Sequence, residues 1–289
     1  MTGAGAAADG LDGVLVERLR AAGCVFAEEE AALLIREATA RHPDAGPGGS
    51  GDARAATLTA MTAARVAGEP LETVLGWVAF AGRRIIVRPG VFVPRRRTEQ
   101  LAGAAVEAAA QATRRTGHAV VVDMCCGSGA IGAVVADEVP GAVLHAADVD
   151  PAAVACAAEN LVPRGAAVHR GDLMAALPPE LRGRIDVLVA NVPYVPRVGL
   201  ALMPPEARLH EPEVTRDGGE DGLDVLRRVA AEGREWLAPT GTVLVEVADA
   251  QVTGALQAMR AAGLVARTED AEAEVEDDQT RVVSGRPAG

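Results

Sequence analysis

The sequence predicts an α/β protein. The expected core is a mostly parallel sheet with helices on both faces and one reversed edge strand, preceded by a small helical domain and a linking β-hairpin. Three observations carry this. From about residue 119 to residue 262, runs of β-formers alternate with helical patterns, the signature of βα units. A glycine-bearing loop, Asp123-Met-Cys-Cys-Gly-Ser-Gly129, falls between one such strand and its helix. Upstream of residue 76 the apolar spacing is helical outside the N-terminus and one Gly/Pro-rich loop, and near Trp77 it changes to the period of short strands.

Residues 1–9 are small and polar and read as disordered. A helix is expected from Leu11 to Ala22, and a second from Ala27 to Ala40 with Glu28, Glu29 and Glu30 in its first turn, where the helix dipole favours anions. Pro43 to Asp52 reads as a loop, Ala53 to Ala67 as a third helix, and a short fourth follows Pro70. The hairpin comprises Trp77 to Phe80 and Arg84 to Arg88 around Ala81-Gly82. The expected domains are therefore 1–75, helical; 76–97, hairpin linker; and 98–289, the α/β domain.

Within that last domain an Ala-rich helix runs to about Thr113. Strands are expected at Ala119 to Asp123, Ala142 to Ala147, Ala166 to His169, Asp186 to Ala190 and Gly241 to Val247. Helices are expected at Gly129 to Glu138, Pro151 to Leu161, Leu223 to Trp236 and Ala250 to Ala262. Leu264 to Thr268 and Thr280 to Ser284, around an acidic turn from Glu269 to Asp278, read as the antiparallel pair that supplies the reversed strand.

Composition narrows the function classes. All 28 basic residues are arginine, and the net charge is −12. That balance argues against broad nucleic-acid binding, which needs a basic face to displace counterions. The four cysteines, Cys24, Cys125, Cys126 and Cys156, show no ligand spacing, so neither a metal site nor a disulfide framework is expected. No apolar run approaches the ~20 residues that span a bilayer. A cytoplasmic, membrane-free protein is the expectation.

Two stretches carry the chemistry. In the first, Gly127 and Gly129 let the backbone turn tightly beside a ligand. Asp148 ends the next strand, where its carboxylate can take both ribose hydroxyls. With Gly132 the loop also fits a dinucleotide fingerprint. Asp123 closing the strand, with three residues between it and Gly127, favours S-adenosylmethionine (SAM) on a Rossmann-like sheet instead. Asp172 can accept from an adenine amino group while Leu173 covers the ring; a plain turn aspartate is the alternative. In the second stretch, a buried strand stops at Asn191-Val-Pro-Tyr194, and Tyr194 is the only tyrosine. An amide, a proline-fixed backbone and one aromatic ring suit a planar polar guest.

Taken in order, GEPLETVLGWVAFAGRRIIVRPGVFVPRRRTE, DMCCGSGA, AADVDP, GDL, NVPY, HEPEVTRDGGEDGLDVLRRV, VLVEVADAQ and TRVVSGRP resemble the protein-(glutamine-N5) methyltransferases over roughly residues 68 to 286. That family modifies the Gly-Gly-Gln loop of peptide-chain release factors, and a close branch modifies a ribosomal protein. The resemblance implies that Cys125, Cys126, Gly127, Ser128, Gly129, Asp148, Leu173 and Asn191 contact SAM. It also implies that Asn191, Val192, Pro193 and Tyr194 hold the substrate glutamine, with Asn191 and Tyr194 closest to the chemistry, and that the N-terminal helices help recognise a protein substrate.

The chain departs from the family in two places. Val192 stands where the tetrapeptide usually has proline, and Arg96 interrupts the usual Pro-Arg-Pro-x-Thr-Glu. Both mark a side branch and bear on the substrate more than on the reaction. Arg95 to Arg97 read either as a solvated run or as a contact to an acidic substrate surface. Pro196 to Gly222 reads as a substrate-side lid, with His210 considered as a base. The expected partner is a protein with an accessible glutamine, met by a monomer. The competing readings are an adenine amino-group methyltransferase, a NAD-dependent oxidoreductase and a non-catalytic SAM-binding protein.

Overall fold

The computed structural model describes residues 4–43, 51–202, 215–269 and 280–288, with side chains from residue 13 onward except at 51, 201 and 202. The chain divides into two compact units, residues 1–77 and 78–289.

The first unit contains α1 (Ala4–Ala21), α2 (Ala27–Ala40), α3 (Gly51–Val66) and α4 (Leu71–Leu75). α1 begins within the stretch expected to be disordered: residues 4–9 are helical, because alanine-rich sequence has the highest helix propensity and the two early glycines do not stop it. Leu15, Leu19, Leu34, Met61 and Leu75 form its core. Glu30 takes Arg65 in a two-pronged contact at 2.6 and 3.2 Å. Arg41 donates to the Leu75 carbonyl at 2.6 Å, which ties α2 to the end of α4.

The second unit is built on β1 (Trp77–Phe80), β2 (Arg83–Ile86), α5 (Glu99–Thr116), β3 (Ala119–Met124), α6 (Ala130–Glu138), β4 (Ala142–Asp148), α7 (Pro151–Leu161), β5 (Ala167–Arg170) and β6 (Ile185–Ala190). These are followed by α8 (Asp224–Gly233), β7 (Leu237–Ala248), α9 (Val252–Ala261), β8 (Leu264–Thr268) and β9 (Thr280–Pro287). Among the described residues the main sheet has seven strands in the order β5-β4-β3-β6-β7-β9-β8. β3, β4, β5, β6 and β7 pair in parallel, and β9 is the reversed strand, lying antiparallel between β7 and β8.

Successive side chains of a strand face opposite sides, and both sides are buried here. Val121 and Val187 join one apolar cluster with α5, α6, α7 and the β1–β2 hairpin. Val120, Val122 and Leu188 join another with α8 and α9. This is why the strands read as continuous apolar runs. Chain order reverses at β3, which has β4 on one side and β6 on the other, so a crevice opens at the C-terminal ends of these strands.

The hairpin is fastened to that crevice by Asn160. Its side chain accepts from the Ile86 N–H and donates to the Ile86 and Ser128 carbonyls, each at 2.9 Å. The acidic turn expected at Glu269 to Asp278 lies outside the described residues, apart from Glu269. No described helix is long and apolar enough to cross a membrane.

Candidate functional site

The crevice is an open cavity whose lining includes Asp123, Cys125 to Ser128, Asp148 and Asn191 to Tyr194. The two stretches singled out in the sequence, nearly seventy residues apart, therefore face one space. Gly129, Asp172 and Leu173 do not line it. Gly129 stands behind the loop at φ 77°, where a Cβ would lie 2.7 Å from Leu161. The Asp172 carboxylate is engaged by both Nη atoms of Arg228 at 3.0 Å.

At the cofactor end the loop is held largely by main-chain donors. Gly127 N–H donates to Asp148 Oδ2 at 2.9 Å and Asp150 N–H to Asp148 Oδ1 at 3.0 Å. Cys126 N–H donates to the Ala147 carbonyl at 3.1 Å. Cys125 adopts φ 56°, a left-handed conformation costing about 1–2 kcal/mol for a residue with a Cβ. Strain of that kind gathers at binding sites. Asp123 Oδ2 accepts from Gly132 N–H at 2.9 Å, while its buried Oδ1 has no hydrogen-bond partner. Burial pushes the Asp123 carboxyl up to about 7, opposed by the Gly132 N–H and assisted by the charge of Asp148. Asp148 is also raised, mainly by burial.

A buried carboxylate oxygen awaiting a donor, a second carboxylate with acceptor capacity left, and a tight backbone cradle fit SAM. The ammonium and sulfonium can face Asp123, and the ribose hydroxyls Asp148. Burial raises Cys125 and Cys126 well above the ordinary thiol range, so both stay protonated and neither is an activated nucleophile. Among the described residues no cluster of three or more potential metal-ligating His, Cys, Asp or Glu occurs.

At the other end Asn191 Nδ2 donates to Thr98 Oγ1 at 3.3 Å, leaving Oδ1 as the acceptor for a guest. Val192 is buried in the core with Met124 and Leu188. Arg97 donates to the Tyr194 hydroxyl at 2.7 Å and lies 3.7 Å from the buried Glu246. Burial raises the Tyr194 hydroxyl, as does the Glu246 charge, while Arg97 opposes the shift. Arg95 stacks on Phe92, its guanidinium 5.2 Å from the ring centre, and Arg96 is exposed.

The described part of the expected lid is anchored here. Val195 N–H donates to the Arg216 carbonyl at 3.1 Å and Gly218 N–H to the Val195 carbonyl at 2.9 Å. Gln251 Nε2 donates to the Tyr194 and Asp221 carbonyls at 2.8 and 3.1 Å. His210 lies outside the described residues.

Sequence reasoning missed Thr98, Phe92, Asn160 and Gln251 as parts of the site. Thr98, Phe92 and Gln251 stand inside stretches that carried the family resemblance, which is the signal that could have found them.

The family described as "Methyltransferase small domain" matches residues 83–202. The chain is 38% identical to a release factor glutamine methyltransferase of Streptomyces coelicolor, over 66% of this chain and 67% of that one. It is 35% identical to one from Cereibacter sphaeroides, over 86% and 88%. It is also 35% identical to a 4-amino-L-phenylalanine/4-methylamino-L-phenylalanine methyltransferase of Streptomyces pristinaespiralis, over 69% and 68%.

Proposed function

Since this chain belongs to the release factor glutamine methyltransferase family and is a SAM-dependent methyltransferase, we propose that it methylates the side-chain amide nitrogen of a glutamine in a peptide-chain release factor. The observation that carries this reading is the single cavity lined by both the Asp123 to Ser128 loop and Asn191 to Tyr194.

When bound, SAM supplies an electrophilic methyl group on a good leaving group. An amide nitrogen is a weak nucleophile, because its lone pair is delocalised into the carbonyl, so the protein's contribution is positioning and electrostatics. Asn191 Oδ1 and the Val192 carbonyl accept from the two amide hydrogens and aim the nitrogen. Tyr194, its hydroxyl held by Arg97, packs on the amide plane. The nitrogen becomes acidic only as its new N–C bond forms, so no strong base is needed beforehand, and the two acceptors stabilise the charge that develops on its hydrogens.

Val192 keeps the carbonyl that a proline would supply, and its side chain fills core space. The enzyme is proposed to act as a monomer. The site roles of Gly129, Asp172 and Leu173 are support of the loop and of the adenine side. The helical unit is assigned to recognition of the protein substrate, and the reaction to the cytoplasm, where release factors act.

The test is methyl transfer from labelled SAM to a bacterial release factor carrying the Gly-Gly-Gln loop, with the modified residue mapped by mass spectrometry. Label on that glutamine, lost in Asn191→Ala, is the expected result. Label retained in Asn191→Ala would sink the site assignment. The relative acting on 4-amino-L-phenylalanine favours a second reading, a small aryl amine as acceptor. The same assay with that amino acid separates the two.

A further inference from the structure

We propose that Thr98 is a positioning residue that anchors the Asn191 side-chain amide opposite the methyl acceptor; this rests on the glutamine reading above. Thr98 ends the 3-10 turn Arg96–Thr98, which runs directly into α5, so its backbone is already helical and its hydroxyl is not committed to a helix cap. The side chain is buried, and its oxygen is instead taken by Asn191 Nδ2 at 3.3 Å, from a residue 93 positions away.

The platform beneath it is stiff. Thr98 N–H donates to the Arg95 carbonyl at 3.0 Å, and the next residue, Glu99, accepts from Ala81 N–H of the hairpin at 3.0 Å.

Such an anchor matters more in this chain than where a proline follows the asparagine. Proline restricts the residue before it, and Val192 removes that restraint from Asn191. An asparagine amide also presents a donor at one end and an acceptor at the other. The acceptor amide of a glutamine approaches with two N–H donors. The Thr98 hydroxyl can accept from Nδ2 or donate to Oδ1, so it fixes where the amide lies. The incoming N–H donors select the orientation with Nδ2 on Thr98 and Oδ1 toward the guest. With valine at position 98 nothing holds Nδ2, and the side chain can swing out of line with the incoming N–H groups.

Thr98→Val preserves shape and removes the acceptor; Thr98→Ser keeps the oxygen and removes the methyl. With the release factor as substrate, Thr98→Val is expected to lower kcat about tenfold, the loss of roughly one hydrogen bond of transition-state orientation. KM and SAM affinity should stay within about twofold, and Thr98→Ser should return most of the rate. Wild-type kcat in Thr98→Val, or a Thr98→Ser as slow as Thr98→Val, overturns the proposal.

A second measurement needs no methyl acceptor. The Asn191 side-chain amide resonances, read by ¹H–¹⁵N NMR with S-adenosylhomocysteine bound, should move in Thr98→Val and stay near their wild-type position in Thr98→Ser. Unmoved Asn191 resonances in an otherwise native Thr98→Val spectrum overturn the anchor. If no substrate is ever methylated but the resonances move as expected, the glutamine reading fails and the anchor stands.

Discussion

The two halves of the cavity are held by different means. Around Asp123 to Ser128 the donors are main-chain N–H groups and the partners lie within one βαβ unit: Gly127 reaches Asp148, Cys126 reaches Ala147 and Gly132 reaches Asp123. Around Asn191 to Tyr194 they are side-chain bonds from distant segments: Thr98, Arg97 and Gln251. A cofactor common to many enzymes can be held by backbone geometry that tolerates sequence change. A pocket for a particular acceptor is tuned by side chains that can be exchanged singly, so substitutions in the two halves should fail differently.

The largest effect should fall on the substrate half alone. Asn191→Ala is expected to lower kcat by about 10²–10³, the scale seen when one donor or acceptor to the reacting group is removed. SAM affinity, measured by calorimetry, should change far less; an equal loss of both would collapse the distinction between the halves.

Gly129→Ala should instead cost the fold about 2–4 kcal/mol in a denaturant melt. It combines a left-handed backbone with a Cβ driven against the buried Leu161. Gln251→Leu removes the donor shared by the Tyr194 and Asp221 carbonyls and should lower kcat/KM about tenfold, with SAM affinity nearly intact.

Asp123 sharpens the comparison through pH. Its folded pKa of about 7 lies above the unfolded value of 3.8. Between these two values the folded state binds more protons, so its contribution is fully present below pH ~4 and is lost as pH rises through 7. In cofactor-free protein, the melting temperature of wild type relative to Asp123→Asn should fall over that window. A flat difference would show that Asp123 is not buried as a proton-binding group. Val192→Pro, which restores the commoner tetrapeptide, should change kcat by less than about threefold.

Legibility in the sequence follows the same division. Asp123, Gly127 and Asp148 could be placed because their partners lie within one βαβ unit, and glycine beside a strand end has few other physical uses. The parallel core was readable from unbroken apolar runs such as Ala119 to Val122. Asn191 to Tyr194 stood out by residue type, but its supports did not. Thr98 and Arg97 lie more than ninety residues away, and neither threonine before a helix nor arginine in a basic run announces a partner at that range. The sequence leaves Asp172 as either an adenine contact or a turn aspartate. Only the fold brings Arg228, 56 residues on, against its carboxylate. The helix over residues 4–9 was missed because small residues carry no apolar period.

The place of β9 in the sheet has a consequence during synthesis. Glu246 of β7, beside Arg97, is paired across the sheet with Val282 of β9. Until residues 280–287 have left the ribosome, β7 keeps a row of unpaired N–H and C=O groups, an open edge that invites association with other chains. The strand that carries Glu246, 3.7 Å from Arg97 at the cavity, is therefore completed only after that downstream segment has emerged.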